Sequence, residues 1–235
     1  TVIGERLANS VGLMAAAWIF SGVLGLVLGM LAGAYRNRWP DRAIRGYCLL
    51  ISSTPAFWLA ILLLMIFAVE LGWLPVGLAV PMGLQADSVT FIDRLRHGIL
   101  PVLTLSMTGV ANIAVHTKEK LIEVLSSDYI LFAKARGESQ TSILLRHGLR
   151  NVSLPAMTLQ FVSISEIIGG SVLVEQVFSY PGLGQAAVTA GLGSDLPLLL
   201  GITVITAAIV FAGNLAADLL YGVIDPKIRR RAAKL

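Results

Sequence analysis

The sequence predicts an all-α polytopic membrane protein, and three observations carry that prediction. Apolar residues make up 56% of the 235 and charged residues 14%, with a mean hydropathy of +0.79, which leaves too little polar surface to clothe a water-soluble globule. The charges are clustered, so charge-free runs extend from Leu7 to Tyr35, Gly46 to Val69, His97 to Thr117 and Leu196 to Ala217. Each supplies the ~20 residues that a helix needs to cross ~30 Å of hydrocarbon. None shows the polar stripe at 3.6-residue spacing that a soluble helical core requires.

The first span carries Gly22, Gly25, Gly29 and Gly33 at steps of three, four and four, one helix face on which another backbone can approach closely. In the second, Pro55 after Ser52-Ser53-Thr54 predicts a bend, with hydroxyls at hand for the freed carbonyls. The third runs from His97 to Thr117. A fourth runs from about Val152 to Val174, interrupted by Glu166 and closed by the turn residues Tyr180-Pro181-Gly182. Leu196 to Ala217 makes the fifth, giving five transmembrane helices in a single domain over residues 1–235.

Orientation follows from Lys and Arg, which are retained on the cytoplasmic side. Arg36 to Arg45 holds four, Lys118 to Arg150 six and Lys227 to Lys234 five, whereas the opposite side holds Arg6, Arg94 and Arg96. The amino terminus is therefore expected outside and the carboxyl terminus in the cytoplasm. The pI near 9.5 is topological and needs no nucleic acid. Cys48 alone forms no intrachain disulfide. Thr1 is not an initiator and no signal-peptide pattern follows it; a span missing upstream would give six helices and a cytoplasmic amino terminus.

Polar residues inside spans mark function or packing, because a charge near the bilayer centre costs about 2.5 to 3.5 kcal/mol on the lenient insertion scale. Glu166, beside Ser163 and Ser165, is the clearest case, either a packing carboxyl or part of a translocation pathway. Asn112 and His116 pair four apart in the third span, as Asn214 and Asp218 do in the last. These make Glu166, Ser163, Asn112 and Asn214 the pathway candidates and leave Glu166 the one candidate for touching a metal. His147 reads as a surface residue. There is no G-x-x-x-x-G-K-[ST] loop, so the chain cannot hydrolyse ATP by itself, and no paired carboxylates or nucleophile arrangement mark it as an enzyme.

The polar interruption from Asp128 to Pro155 is the expected meeting place with something in the cytoplasm. Tyr129, Ile130, Phe132, Ala133 and then Ile143, Leu144, Leu145 alternate with Lys134, Arg136, Arg146 and Arg150, a short helix, a turn at Gly137 and a second short helix capped from Ser139 to Ser142. A membrane-surface hairpin explains the charges; a docking segment for another protein also explains apolar residues on both sides of the turn. The next span is expected to start at Leu154-Pro155.

The run AKARGESQTSILLRHGLRNVSLP (residues 133–155) resembles the cytoplasmic loop of binding-protein-dependent ABC importer permeases, in the dipeptide, oligopeptide and nickel branch. Tyr180-Pro181-Gly182-Leu183-Gly184, the ending from Asp218 to Arg229, Pro55 to Leu59 and Ile99-Leu100-Pro101 are similar to the same family, so the resemblance covers nearly the whole chain. It implies a bacterial inner-membrane permease working with a homologous second permease, two cytoplasmic ATPase subunits that carry ATP and Mg, and an external solute-binding protein, with no cofactor in this chain. It also implies one further span before this region.

By that resemblance residues 126–150 hold the coupling helix, with Ala133, Lys134, Ala135, Arg136, Gly137, Glu138 and Ser139 meeting the ATPase. Ala133 and Gly137 take the alanine and glycine of the E-A-A-x-x-x-G signature, Leu154-Pro155 its closing pair, and Leu131 replaces its glutamate. An acidic residue at the Glu166 position goes with nickel permeases and a small or apolar one with many peptide permeases, so nickel or its chelate and a short peptide compete as cargo. The rival reading is an ion-gradient-driven secondary transporter or channel subunit, with a membrane enzyme third.

Overall fold

The computed structural model describes residues 2–81 and 89–224; the cationic tail from Lys227 to Lys234 and the motif from Asp225 to Arg229 lie outside the described residues, as does the Asp218 side chain. In order come α1 (Val2–Ala34), α2 (Trp39–Ser52), α3 (Ala56–Leu63) continuing as a π-helical stretch (Leu64–Glu70), α4 (Phe91–Leu125), α5 (Asp128–Ala135), α6 (Gln140–Ser142) with a π-helical stretch (Ile143–Gly148), α7 (Leu149–Val177), α8 (Leu183–Leu192) and α9 (Leu196–Ile224). No strand occurs among the described residues.

Four helices are long and apolar enough to cross a membrane, and the broken pair Trp39–Ser52 with Ala56–Glu70 makes a fifth if counted as one span. The break falls at Ser53 to Pro55, as the proline predicts: Pro55 is extended, with ψ 137°, and opens α3.

One expectation is corrected. The next span does not begin at Leu154-Pro155, because helix runs without interruption from Gln140 to Val177. The second short helix after Gly137 is therefore the start of a spanning helix, and Pro155 lies inside α7, as Pro101 does inside α4. Side-chain donors supply nearby carbonyls, with Asn151 Nδ2 bonding His147 O at 2.7 Å and Thr104 Oγ1 bonding Leu100 O at 2.9 Å.

The chain divides into two compact units. The first comprises Thr1–Ile19, Thr54–Met107 and Ile164–Ala212. Here Leu183, Ala186 and Ile202 are buried together with Ile3, Leu7 and Ile205 packed on them. The loop before α4 is pinned to the end of α7, with Leu78 N–H donating to Phe178 O at 2.9 Å and His97 Nδ1 lying 2.6 Å from Gly77 O.

The second unit comprises Phe20–Ser53, Thr108–Ser163 and Gly213–Leu235. Its glycine face packs on protein as expected. A methyl added at Gly25 would lie 2.8 Å from Ile113 Cβ, and one at Gly29 would lie 2.5 Å from Thr117 Cβ, so only glycine lets α1 and α4 sit this close. Gly29→Leu is expected to cost about 1–3 kcal/mol through overpacking. A lowered thermal midpoint in detergent checks it, and an unchanged midpoint would refute this packing.

Candidate functional site

Helix α5 is short because its sequence carries both a start and a stop. Ser127 is extended before it, Asp128 lies in its first turn and Lys134 in its last, which suits the helix dipole. The stop is Gly137, with φ +81°. Its N–H bonds Lys134 O at 2.9 Å and the Glu138 N–H bonds Ala133 O at 3.1 Å, the paired bonds of a Schellman C-cap. That cap needs a left-handed residue at Gly137, which costs other residue types about 1–2 kcal/mol.

Ser139 then opens the following helix, its Oγ accepting the Ser142 N–H at 3.2 Å. Ile130, Ala133, Ile143 and Val124 form a buried cluster that clamps α5 against that helix and against the end of α4. Around the turn, Glu138 accepts from Arg136 Nη2 and His147 Nε2, each at 3.1 Å, and Tyr129 meets the His147 ring edge-on at 6.2 Å between centroids. The His147 hydrogen bond, with the arginines behind it, holds the Glu138 carboxyl below its ordinary value. His147 is thus a bracing residue rather than a bystander.

The outward face of α5 is unusual for a polar segment. Leu131 is 67% and Phe132 71% exposed, with Lys134, Ala135 and Arg136 exposed beside them. An apolar platform with a cationic rim can dock another protein. Leu154 and Pro155 sit in α7, seventeen and eighteen residues past Gly137, and join neither the cap nor the buried cluster.

The pathway candidates fall into different environments. Glu166 is exposed on α7, on a face shared with exposed Val162, Gly169 and Leu173, whereas Ser163 is buried and donates to Gln160 O at 2.7 Å. Asn112 is exposed on α4, in one stripe with Thr108, His116, Glu119 and Glu123, and Asn214 is exposed on α9. Among the described residues no three His, Cys, Asp or Glu side chains gather into a metal-holding group.

Two buried carboxylates escaped the sequence reading. Glu175, fully buried near the end of α7, accepts from Ser10 Oγ at 2.6 Å and from the N–H groups of Gly184 at 2.7 Å and Gln185 at 3.2 Å. It caps the first turn of α8, and Ser10 Oγ in turn accepts the Leu183 N–H at 2.7 Å. Burial and then the nearby Glu175 charge push the Tyr180 phenol up. The available hint was a glutamate five residues before Tyr180-Pro181-Gly182.

The other is Asp41, which receives Lys118 Nζ on Oδ1, Arg45 Nη2 on Oδ2 at 3.2 Å and the Asn37 N–H at 2.9 Å. Its hint was a carboxylate in the first turn of α2 beside Pro40.

The family described as binding-protein-dependent transport system inner membrane component matches residues 25–230. The chain is 36% identical over 229 residues to the oligopeptide transport system permease protein AppB of Bacillus subtilis (strain 168), covering 97% of this chain and 71% of that protein. It is 36% identical over 227 residues to the glutathione transport system permease protein GsiC of Escherichia coli (strain K12), covering 97% of this chain and 70% of that one. Its fold is shared with a chain of the inward-facing MetNI methionine ABC transporter, at a TM-score of 0.76 and 17% identity over 95% of this chain and 96% of that one. This all-helical chain belongs to the binding-protein-dependent transport system inner membrane component family and is a permease component of an ABC transporter.

Proposed function

We propose that the chain is one of two homologous permeases of an ATP-driven importer and that α5 with the Gly137 turn is its coupling element. The observation that carries this reading is α5 itself, clamped from behind by Ile130 and Ala133 while Leu131 and Phe132 stand exposed in front. Two cytoplasmic ATPase subunits holding ATP and Mg seat on that face, and an external solute-binding protein delivers cargo on the other side of the membrane. The loop at Arg36 to Arg45 and residues 126–150 then lie in the cytoplasm, as the cation distribution favours, with the carboxyl terminus on the same side.

Closure of the ATPase pair moves α5, and the permease pair alternates between access to either side. The pathway candidates are the exposed polar positions Asn112, Glu166 and Asn214 and the buried Ser163. The cargo is a short peptide or peptide-like solute, supported by the names of the oligopeptide and glutathione relatives.

Phe132→Asp tests the coupling. Phe132 is mostly exposed, so the change is expected to shift stability by no more than about 0.5 kcal/mol. Cargo-stimulated ATP hydrolysis in reconstituted vesicles is expected to fall at least about tenfold, since a central apolar anchor commonly contributes 2 kcal/mol or more to docking. Unchanged coupling, or transport by the isolated chain driven by an ion gradient, would overturn the reading.

A further inference from the structure

Between α2 and α4, within the second unit, lies a cavity of about 310 Å3 with two kinds of wall. Ile44, Leu49 and Val115 make it apolar on one side, while Arg45, Lys118 and Glu119 bring charge to it. At that size the cavity can take a phosphate with its glycerol rather than a whole diacyl lipid.

The cations are fixed in place. Both reach the fully buried Asp41, Lys118 on one carboxylate oxygen and Arg45 on the other, so a single negative charge is shared by two positive ones. The Arg45 side chain is 55% exposed and touches Asp41 through Nη2, one corner of a guanidinium that carries five N–H donors in a fork. Glu119 adds a second carboxylate at the cavity wall. Against these, Arg36, Arg38 and Arg42 stand exposed on the same stretch of chain, leaving the surroundings cationic.

The same helix is dressed for a bilayer. Trp39 is 78% exposed at its start, where an aromatic ring suits the headgroup level, and Leu49 and Leu50 are 64% and 63% exposed near its end. The two cations at the cavity are balanced one for one by Asp41 and Glu119, so the draw on an anion comes from the exposed Arg45 fork together with Arg36, Arg38 and Arg42 nearby. Set beside an apolar wall between membrane helices, this matches an amphiphile rather than a purely apolar ligand.

We infer that this cavity binds the headgroup of an anionic phospholipid from the leaflet facing the Arg36 to Arg45 loop. The phosphate sits against Arg45 with Lys118 behind it, and an acyl chain leaves along Ile44, Leu49 and Val115. The leaflet is the cytoplasmic one if the orientation proposed above holds; the site itself does not depend on that orientation.

The test uses the intact transporter, purified with its partner subunits into vesicles of equal phosphatidylglycerol and phosphatidylcholine, with lipids retained after detergent extraction counted by native mass spectrometry. The parent is expected to keep phosphatidylglycerol over phosphatidylcholine by at least about tenfold, the strength of one good charge-assisted contact. Arg45→Gln is expected to lose that preference, whereas Arg42→Gln, which removes the same charge outside the cavity, keeps it. A thermal midpoint within about 4 °C of the parent's and continued copurification of the ATPase subunits show that Arg45→Gln still folds and assembles.

Equal loss in both variants would mean diffuse surface attraction and would overturn the site, as would equal retention of the two lipids by the parent. Displacement of the lipid by millimolar glycerol phosphate would reassign the cavity to a free phosphate compound, and a protein chain found covering it would reassign it to an interface. Absence of an ATPase from the purified parent would strike the coupling proposal instead, leaving the lipid count readable.

Discussion

Glu175→Leu is expected to destabilise the protein by about 3–5 kcal/mol, the largest loss for any single side chain outside the packed apolar core. Leucine nearly matches glutamate in volume, so the cost comes from polar groups and not from a void. The Ser10 hydroxyl and the Gly184 N–H are buried and would lose their acceptor, and the part-buried Gln185 N–H would lose its bond to the carboxylate as well. An unsatisfied buried donor costs about 1–3 kcal/mol, and the first turn of α8 would lose its cap as well. Ser10→Ala, which removes one donor and also the acceptor for Leu183 N–H, is expected to cost about 1–3 kcal/mol. Thermal midpoints from fluorescence-detected size exclusion in detergent check the order; a Glu175→Leu protein as stable as its parent would sink the clasp.

Asp41→Ala is expected to cost about 3 kcal/mol. Lys118 has a side chain only 16% exposed and would be left with a charge and no carboxylate, and breaking a buried pair by removing one partner typically costs 3–5 kcal/mol. The residual exposure of Lys118 places the value at the lower end. Arg45→Gln, on the more exposed side, is expected to cost under about 1 kcal/mol. The pairing of Asp41→Leu with Lys118→Met is expected to recover most of the loss, because a well-packed apolar pair often replaces a buried ion pair without penalty. If the double variant is as unstable as Asp41→Ala, the charge account is wrong and the loss belongs to the Asn37 bond.

The spans were legible because charge is excluded from hydrocarbon, and the break at Pro55 and the turn at Gly137 because backbone chemistry at those residues is local. The glycine face was legible for the same reason, as spacing alone puts Gly22 to Gly33 on one side. What stayed hidden depended on partners far away in sequence. Ser10 and Glu175 are 165 residues apart and Asp41 and Lys118 are 77 apart, so each read as an ordinary charge or hydroxyl beside a span.

Glu166 drew attention by interrupting an apolar run, yet it is exposed on α7, while Glu175, about two and a half turns further along the same helix, holds the interior bonds. The start of α7's run was misjudged because Pro155 signals a boundary, whereas packing overrides it: Gly148 is buried against Leu121, 2.9 Å from where its side chain would begin.

The C-cap at Gly137 separates two kinds of constraint along α5. Ala133 supplies the carbonyl that closes the cap and sits in the buried cluster, and Gly137 supplies the left-handed turn, so neither can drift without loosening the element. Leu131, at the place of the signature's glutamate, bears no such duty, for it is two-thirds exposed. On the coupling role proposed above, the outer residues of α5 are therefore open to change while the scaffold that presents them stays the same, and a graft of residues 131, 132, 134 and 135 alone is expected to carry the choice of ATPase partner from one permease to another.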